Sequence, residues 1–173
     1  MEWMIDTSHT SANFSVRHMA ITTVRGQFEK ISGKVEVDGG KLMGAEVDID
    51  VSSVNTHEEN RDNHLKSADF FDVENHPHMH FSMTNAEQVR GDDYRLTGNL
   101  TIRGITKPVT LNATISEPFT DPWGNERLGV TLEGKVDRNE WNLKWNQVLE
   151  AGRLLVGNDV KIEVDAQAFH PKG

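Results

Sequence analysis

Apolar and polar residues alternate along most of the chain. In AEVDIDVS, Ala45, Val47, Ile49 and Val51 share one face, and Glu46, Asp48, Asp50 and Ser52 share the other. YRLTGNLTI repeats the pattern with Tyr94, Leu96, Gly98, Leu100 and Ile102, and VTLNATI does so with Val109, Leu111, Ala113 and Ile115. LGVTLEGKV contributes Leu128, Val130, Leu132, Gly134 and Val136; VKIEVDAQA contributes Val160, Ile162, Val164, Ala166 and Ala168. A period of two puts alternate side chains on opposite sides of a strand, so these segments predict strands with one dry and one wet face. Turn residues fall between them. Asp38-Gly39-Gly40, RGDD at 90–93 and DPWGNE at 121–126 predict hairpins. Short connections of this kind make successive strands antiparallel.

One segment breaks the alternation. THEENRDNHLKSADFF is polar and rich in helix formers, and Thr56 and Glu59 have the spacing of a capping box. A short helix is predicted at about 57–66, bringing Leu65, Phe70 and Phe71 against the sheet. With so little helix available, the sheet must cover its own apolar face, either as two paired sheets or as a closed barrel. The inward positions include Ala45, Gly98, Ala113, Gly134, Ala166 and Ala168. Small residues there leave space along a barrel axis. They could equally accommodate bulky partners such as Trp141 or Trp145.

Composition narrows the function. The chain has 173 residues and shows no internal repeat or composition shift, which suits a single domain over 1–173. Its net charge of -9 argues against nucleic acid and against anionic membrane surfaces, both of which require a basic face. The absence of cysteine excludes disulfides, thiolate nucleophiles and cysteine-bound metals. No stretch approaches the ~20 apolar residues of a membrane span, so stable membrane insertion is not expected. The opening MEWMIDTSHT lacks a basic region followed by an apolar run, which points to the cytoplasm. A periplasmic or secreted location would follow if a leader had been removed.

Several motifs together resemble the YceI-like family of lipocalin-like proteins. They are WMIDTSHTSANFSVRHM near the start, VRGQF, RDNHLKSADFFDVENHP, GNLTIRGITKPVTL and DRNEWNLKW, followed by Val156, Gly157 and the last strand. The resemblance runs in order from residue 3 to about 169. The chain departs from it at Asn142, where the family often has glycine after an aromatic residue, and at Met83, where a small hydroxyl residue is common. The resemblance implies an all-β, extended antiparallel lipocalin-like eight-stranded β-barrel with one short helix flanking it. It further implies an elongated apolar channel for an isoprenoid lipid, a polyprenyl phosphate or isoprenoid quinone. Homodimers are implied too, with no catalytic mechanism and no cofactor beyond the bound lipid.

Candidate wall residues for such a channel are Phe14, Val16, Phe28, Phe71, Phe81, Leu100, Ile102, Leu111, Leu132, Trp145 and Ile162, each of which could equally be solid core. His18 continues the Phe14–Val16 face and could meet a polar headgroup or be satisfied by a neighbouring backbone group. Arg61, with a guanidinium suited to phosphate, is a second headgroup candidate, or part of a network holding helix to barrel. ENHPHMHF places His76, His78 and His80 at alternate positions. Phe81 and Met79 are expected to face inward, so His78 and His80 face out and His76 falls in the preceding turn. No metal site is expected; a His78–His80 pair is the alternative, and it would need a third ligand. The competing functions are an enzyme assembled inside the cavity and an empty barrel acting through its surface.

Overall fold

The computed structural model describes residues 1–19, 21–146 and 155–170. The strands are β1 (Glu2–Ile5), β2 (Ser11–His18), β3 (Thr22–Phe28), β4 (Ile31–Asp38), β5 (Lys41–Asp50) and β6 (Val54–Asn55). They continue as β7 (His78–Arg90), β8 (Asp93–Ile102), β9 (Ile105–Ile115), β10 (Phe119–Thr120), β11 (Glu126–Asp137) and β12 (Val156–His170). A single α-helix, α1 (Glu59–Lys66), is found among the described residues. Every strand pairing is antiparallel.

Eight strands close a ring in the order β11, β9, β8, β7, β5, β4, β1, β12, and β12 returns to β11. The first strand is split. After β1 the chain makes a 3₁₀ turn at Thr7–His9 and resumes as β2 on the same edge of β12. β1 has β4 as its other neighbour, whereas β2 has β3, which carries β6 in turn. The wall therefore forks, and the segment from Val51 through α1 to Pro77 lies beside the fork.

The predicted hairpins form where turn chemistry put them. Gly39 and Gly40 both have positive φ between β4 and β5, and Gly91 does so between β7 and β8. The β8–β9 turn uses Arg103 and Gly104, at φ 51° and 73°. Arg103 is an unusual residue for that conformation. Its guanidinium donates to the carbonyls of Phe70 and Asn142, tying the turn to the loops on either side. Asn142 itself sits at φ 61° and ends the 3₁₀ turn Arg138–Trp141, so asparagine holds the left-handed position that glycine often takes.

The helix corrects one expectation. It begins at Glu59, and the cap is Glu58, whose carboxylate accepts from the amides of Asn60 and Arg61. Thr56 caps nothing: its amide and hydroxyl both donate to Asp62. His57, at φ 62°, turns the chain between the two and prevents Thr56 from lying in line with the helix.

Two buried clusters fill the barrel. The one at the helix end includes Phe28, Phe70, Met79, Phe81, Leu100, Ile102 and Trp141. The one at the far end, beside the β4–β5 and β7–β8 hairpins, includes Trp3, Leu42, Tyr94, Leu96 and Leu128. Met83, on β7, is half-buried and touches both clusters.

Candidate functional site

A cavity of about 220 Å³ runs along the barrel axis. Its lining reaches from Val35 and Leu42 at the far end to Trp141, Leu143 and Val156 at the helix end. β5, β7, β8, β9, β11 and β12 contribute residues from their predicted dry faces, including the run Val160, Ile162, Val164, Ala166 and Ala168, and β1 and β4 add Ile5, Ile31 and Val35. Leu65, Phe70 and Phe71, from α1 and the turn after it, cover the fork in the wall.

The glycines on the dry face work differently from the alanines. A Cβ on Gly98 would lie 2.5 Å from the Phe81 ring, and one on Gly134 would lie 2.5 Å from Leu111 Cδ2. On β3, a Cβ on Gly26 would meet the Phe14 ring at 2.5 Å. Each glycine is thus a notch into which a neighbouring strand's side chain folds. The rings lie along the wall instead of across the lumen. Ala45, Ala166 and Ala168 border the cavity directly.

Ten of the wall candidates line the cavity: Phe14, Val16, Phe28, Phe71, Phe81, Leu100, Ile102, Leu111, Leu132 and Ile162. Trp145 does not. Its ring packs against His64 (centroids 4.6 Å apart) and Phe70 (5.5 Å), behind the lining. His18 also stays out of the lining; it is the last residue of β2, opposite Val156, where the strand leaves the barrel wall. Arg61 is turned the other way, donating to the hydroxyl (2.8 Å) and carbonyl (2.8 Å) of Thr56. With Asp62 it fastens α1 to the chain after β6, the network role set against headgroup binding.

Among the lining residues that the pattern reading did not name, one is charged. Arg138 is buried (5 % exposed) at the helix end of the cavity. Its guanidinium donates to the carbonyls of Gly157 (2.8 Å), Trp145 (3.0 Å), Val156 (3.3 Å) and Leu143. Burial pushes its pKa down, and nearby Asp137 opposes that shift. Among the described residues no carboxylate pairs with it. The alternation of β11 ends at Asp137, so the strand pattern carried no information on where Arg138 would point.

The histidines separate as expected. Met79 and Phe81 are buried, His78 is exposed, and His76 lies in the turn before β7. His80 stands on the outer wall between two carboxylates, with Nδ1 2.8 Å from Asp48 and Nε2 2.7 Å from Glu46. Asp48 raises its pKa most, burial opposes the rise, and Glu46 adds to it, so the net shift is upward. Ser82 donates to the other oxygen of Glu46 at 2.6 Å. Both ring nitrogens are therefore engaged by acidic groups, an arrangement that suits an imidazolium. Among the described residues no group of three or more His, Cys, Asp or Glu side chains is placed to hold a metal ion.

A serine, a histidine and an aspartate do meet at the β1–β2 turn, outside the cavity. His9 Nδ1 lies 3.1 Å from Ser8 Oγ and 2.9 Å from Asp6 Oδ2, while Ser8 Oγ also donates to Asp6 at 2.7 Å. A proton relay needs the two ring nitrogens to face different partners. Here one nitrogen faces both, and the cluster is a turn-stabilising network. It continues inward through Arg127, which bonds Asp6 at 2.8 Å and Asp121 at 2.7 Å.

The family model for the YceI-like domain matches residues 3–168. The protein YceI of Escherichia coli strain UMN026 is 36% identical over 138 residues, covering 79% of this chain and 72% of its own. A UPF0312 protein of Staphylococcus aureus strain N315 is 33% identical over 165 residues, 94% of each chain. Among solved structures, a YceI protein of Campylobacter jejuni superposes with a TM-score of 0.78 at 28% identity, covering 90% of both chains. A polyisoprenoid-binding domain from Saccharophagus degradans shares the fold at a TM-score of 0.72 and 16% identity, covering 98% of both. No helix among the described residues is long and apolar enough to cross a membrane. By its sequence and its forked eight-stranded barrel, the chain belongs to the YceI-like family.

Proposed function

We propose that the barrel holds the tail of an isoprenoid lipid, a polyprenyl phosphate or an isoprenoid quinone, and carries or stores it without chemical change. The observation that supports this most is the continuity of the apolar lining from Leu42 to Leu143. The name given to the Saccharophagus domain of the same fold agrees with it. Each enclosed methylene contributes ~0.8 kcal/mol, so a tail of modest length binds firmly with few polar contacts. An enzyme would need polar groups converging on a reacting atom, and Thr10, Asn13 and Arg138 are scattered around the lining without converging. A cavity of about 220 Å³ is somewhat larger than one of ~150 Å³ that takes up benzene. A long tail therefore requires the axis-facing side chains to part, or leaves through an end.

The test is extraction of purified, untagged protein with organic solvent, followed by mass spectrometry beside a mock purification. A stoichiometric prenyl lipid is expected. A clean extract that stays clean after incubation with prenyl phosphates and quinones would overturn the reading.

A further inference from the structure

The stretch from Val51 to Pro77 leaves the barrel wall and returns to it at one place, where the amide of Val51 donates to the carbonyl of Pro77 at 3.0 Å. Its first part is stitched down: Val54 and Asn55 pair with β3, and Ser53 Oγ accepts from the amides of Glu29 and Lys30. Residues 56–76 are held differently. Their backbone bonds run within the segment, as from Phe71 to Leu65, from Val73 to Lys66 and from His76 to Asp72. Thr56, Arg61 and Asp62 bond one another, and His64 lies 2.9 Å from Asp69. Among the described residues, one hydrogen bond reaches this unit from outside the stretch: Arg103 Nη1 donates to the carbonyl of Phe70 at 3.1 Å. The same nitrogen donates to the carbonyl of Asn142 at 3.2 Å. Ring and apolar contacts complete the attachment, among them Phe71 edge-on to Phe28 at 5.7 Å and Phe70 against Trp145 at 5.5 Å.

We propose that residues 56–76 form a flap over the fork in the wall, that Arg103 latches it, and that lipid enters and leaves the cavity when the flap swings out. The proposal rests on the cavity holding a prenyl tail, and it adds the route and the residue that controls passage. Leu65, Phe70 and Phe71 line the cavity from the flap, so lifting them uncovers the lumen. The ring is laddered between neighbouring strands, whereas at the fork β1 turns to β4 and β2 to β3. Opening there breaks no strand ladder. The flap's internal bonds let it move as one body, and His57, at φ 62° just after β6, stands at the hinge position. No residue of α1 is fully buried, so few apolar side chains are exposed by the motion, and a passing prenyl tail covers those. Arg103 is the feature that singles out a latch. It holds φ 51°, a conformation that suits glycine or asparagine better than arginine. A strained residue kept for its side chain is a mark of a functional position, and this side chain ties the flap to the loop after Trp141.

The experiment mixes the intact, delipidated protein with geranylgeranyl phosphate in a stopped flow, follows tryptophan fluorescence, and measures release on dilution. R103G and R103N both suit the left-handed turn and both remove the guanidinium. Losing hydrogen bonds from a charged donor raises the open population by about 10-fold, so both variants should take up and release the probe faster by about that factor. Affinity should stay nearly unchanged, because the latch holds the empty and the filled protein alike. Unchanged rates in both variants would overturn the latch. So would faster release alone, which would make Arg103 a contact of the bound lipid. Acceleration in R103G without R103N would assign the effect to a looser turn and overturn it as well. A probe that does not bind even the wild-type protein counts against the tail-binding reading, and hydrogen exchange then decides the flap by itself. The amides of 56–76 should open together, ahead of those of β8 and β9, and sooner in R103N than in wild type. Amides that exchange only when the whole barrel unfolds would overturn the flap.

Discussion

The Phe81 ring lies over Gly98 of the adjacent strand, so close that a Cβ on Gly98 would sit 2.5 Å from two ring carbons and 2.6 Å from the carbonyl of Ser82. The glycine is a recess for the ring, and the recess keeps the axis open. Gly98→Ala should swing Phe81 toward the lumen. Overpacking of this kind costs about 1–3 kcal/mol. Thermal melting should show the loss, and a prenyl-phosphate titration should show weakened binding at a temperature where the variant is folded. Unchanged affinity with lowered stability would mean that Phe81 relaxes outward.

Asn142 holds a left-handed turn at φ 61°, φ that costs most residues roughly 1–2 kcal/mol. Asn142→Ala should lower stability by about that amount. Asn142→Gly should be neutral or slightly stabilising. Denaturant midpoints of the two variants, compared with wild type, check the order.

His80 carries a raised pKa because Asp48 and Glu46 flank it. A raised pKa means that the stabilisation is complete below the ordinary value of 6.5 and is lost as pH climbs through the higher folded-state value. The group is partly exposed, so the effect should be no more than about 1 kcal/mol. Melting temperatures of wild type and His80→Gln should differ most near pH 6 and converge toward pH 9. An NMR titration of the His80 ring should show its pKa falling in Asp48→Asn.

Asp6 has the opposite sign. Bonds from Ser8 and then Arg127 hold its carboxyl well below the usual value of 3.8, against a smaller burial effect. At Asp121, burial pushes the carboxyl up, and Arg127 with the amides of Asn125 and Trp123 more than reverses it. Both contributions are complete above the ordinary carboxylate range and are lost as pH falls below it toward the folded-state values. Asp6→Asn should therefore melt below wild type at neutral pH, with the gap narrowing as pH falls through 4 to 2. A gap that stays constant over that range would assign the effect to packing.

How much of this was legible in the sequence depended on whether a residue sat inside a strand. Alternation set Val47, Ile49, Leu100, Leu111 and Ile162 on one dry face, and all of them border the cavity. Asp38-Gly39-Gly40 marked a hairpin because positive φ favours glycine. Legibility stopped at the strand ends, where the period of two no longer predicts direction. His18 ends β2, Arg138 follows β11 directly and Trp145 lies in the loop beyond it, and each points where tertiary contacts send it. The fork between β1 and β2 was equally hidden, because its cause is the Asp6 network, which draws on Asp121 and Arg127 far along the chain. The helix start was missed for a local reason: His57 adopts a left-handed conformation that capping-box spacing does not anticipate.

β12 is hydrogen-bonded on both edges, to β11 on one and to β1 and β2 on the other. It is the last strand made, and two of its three partners are the first, with Met4 opposite Phe169. Closure is thus a long-range step that must bring the two halves of the chain together before it is rewarded. Until residues 156–170 have left the ribosome, β1, β2 and β11 present open edges beside an uncovered apolar face. Such edges invite pairing with other chains. The seam that closes the barrel therefore sets how long the nascent protein is exposed to aggregation.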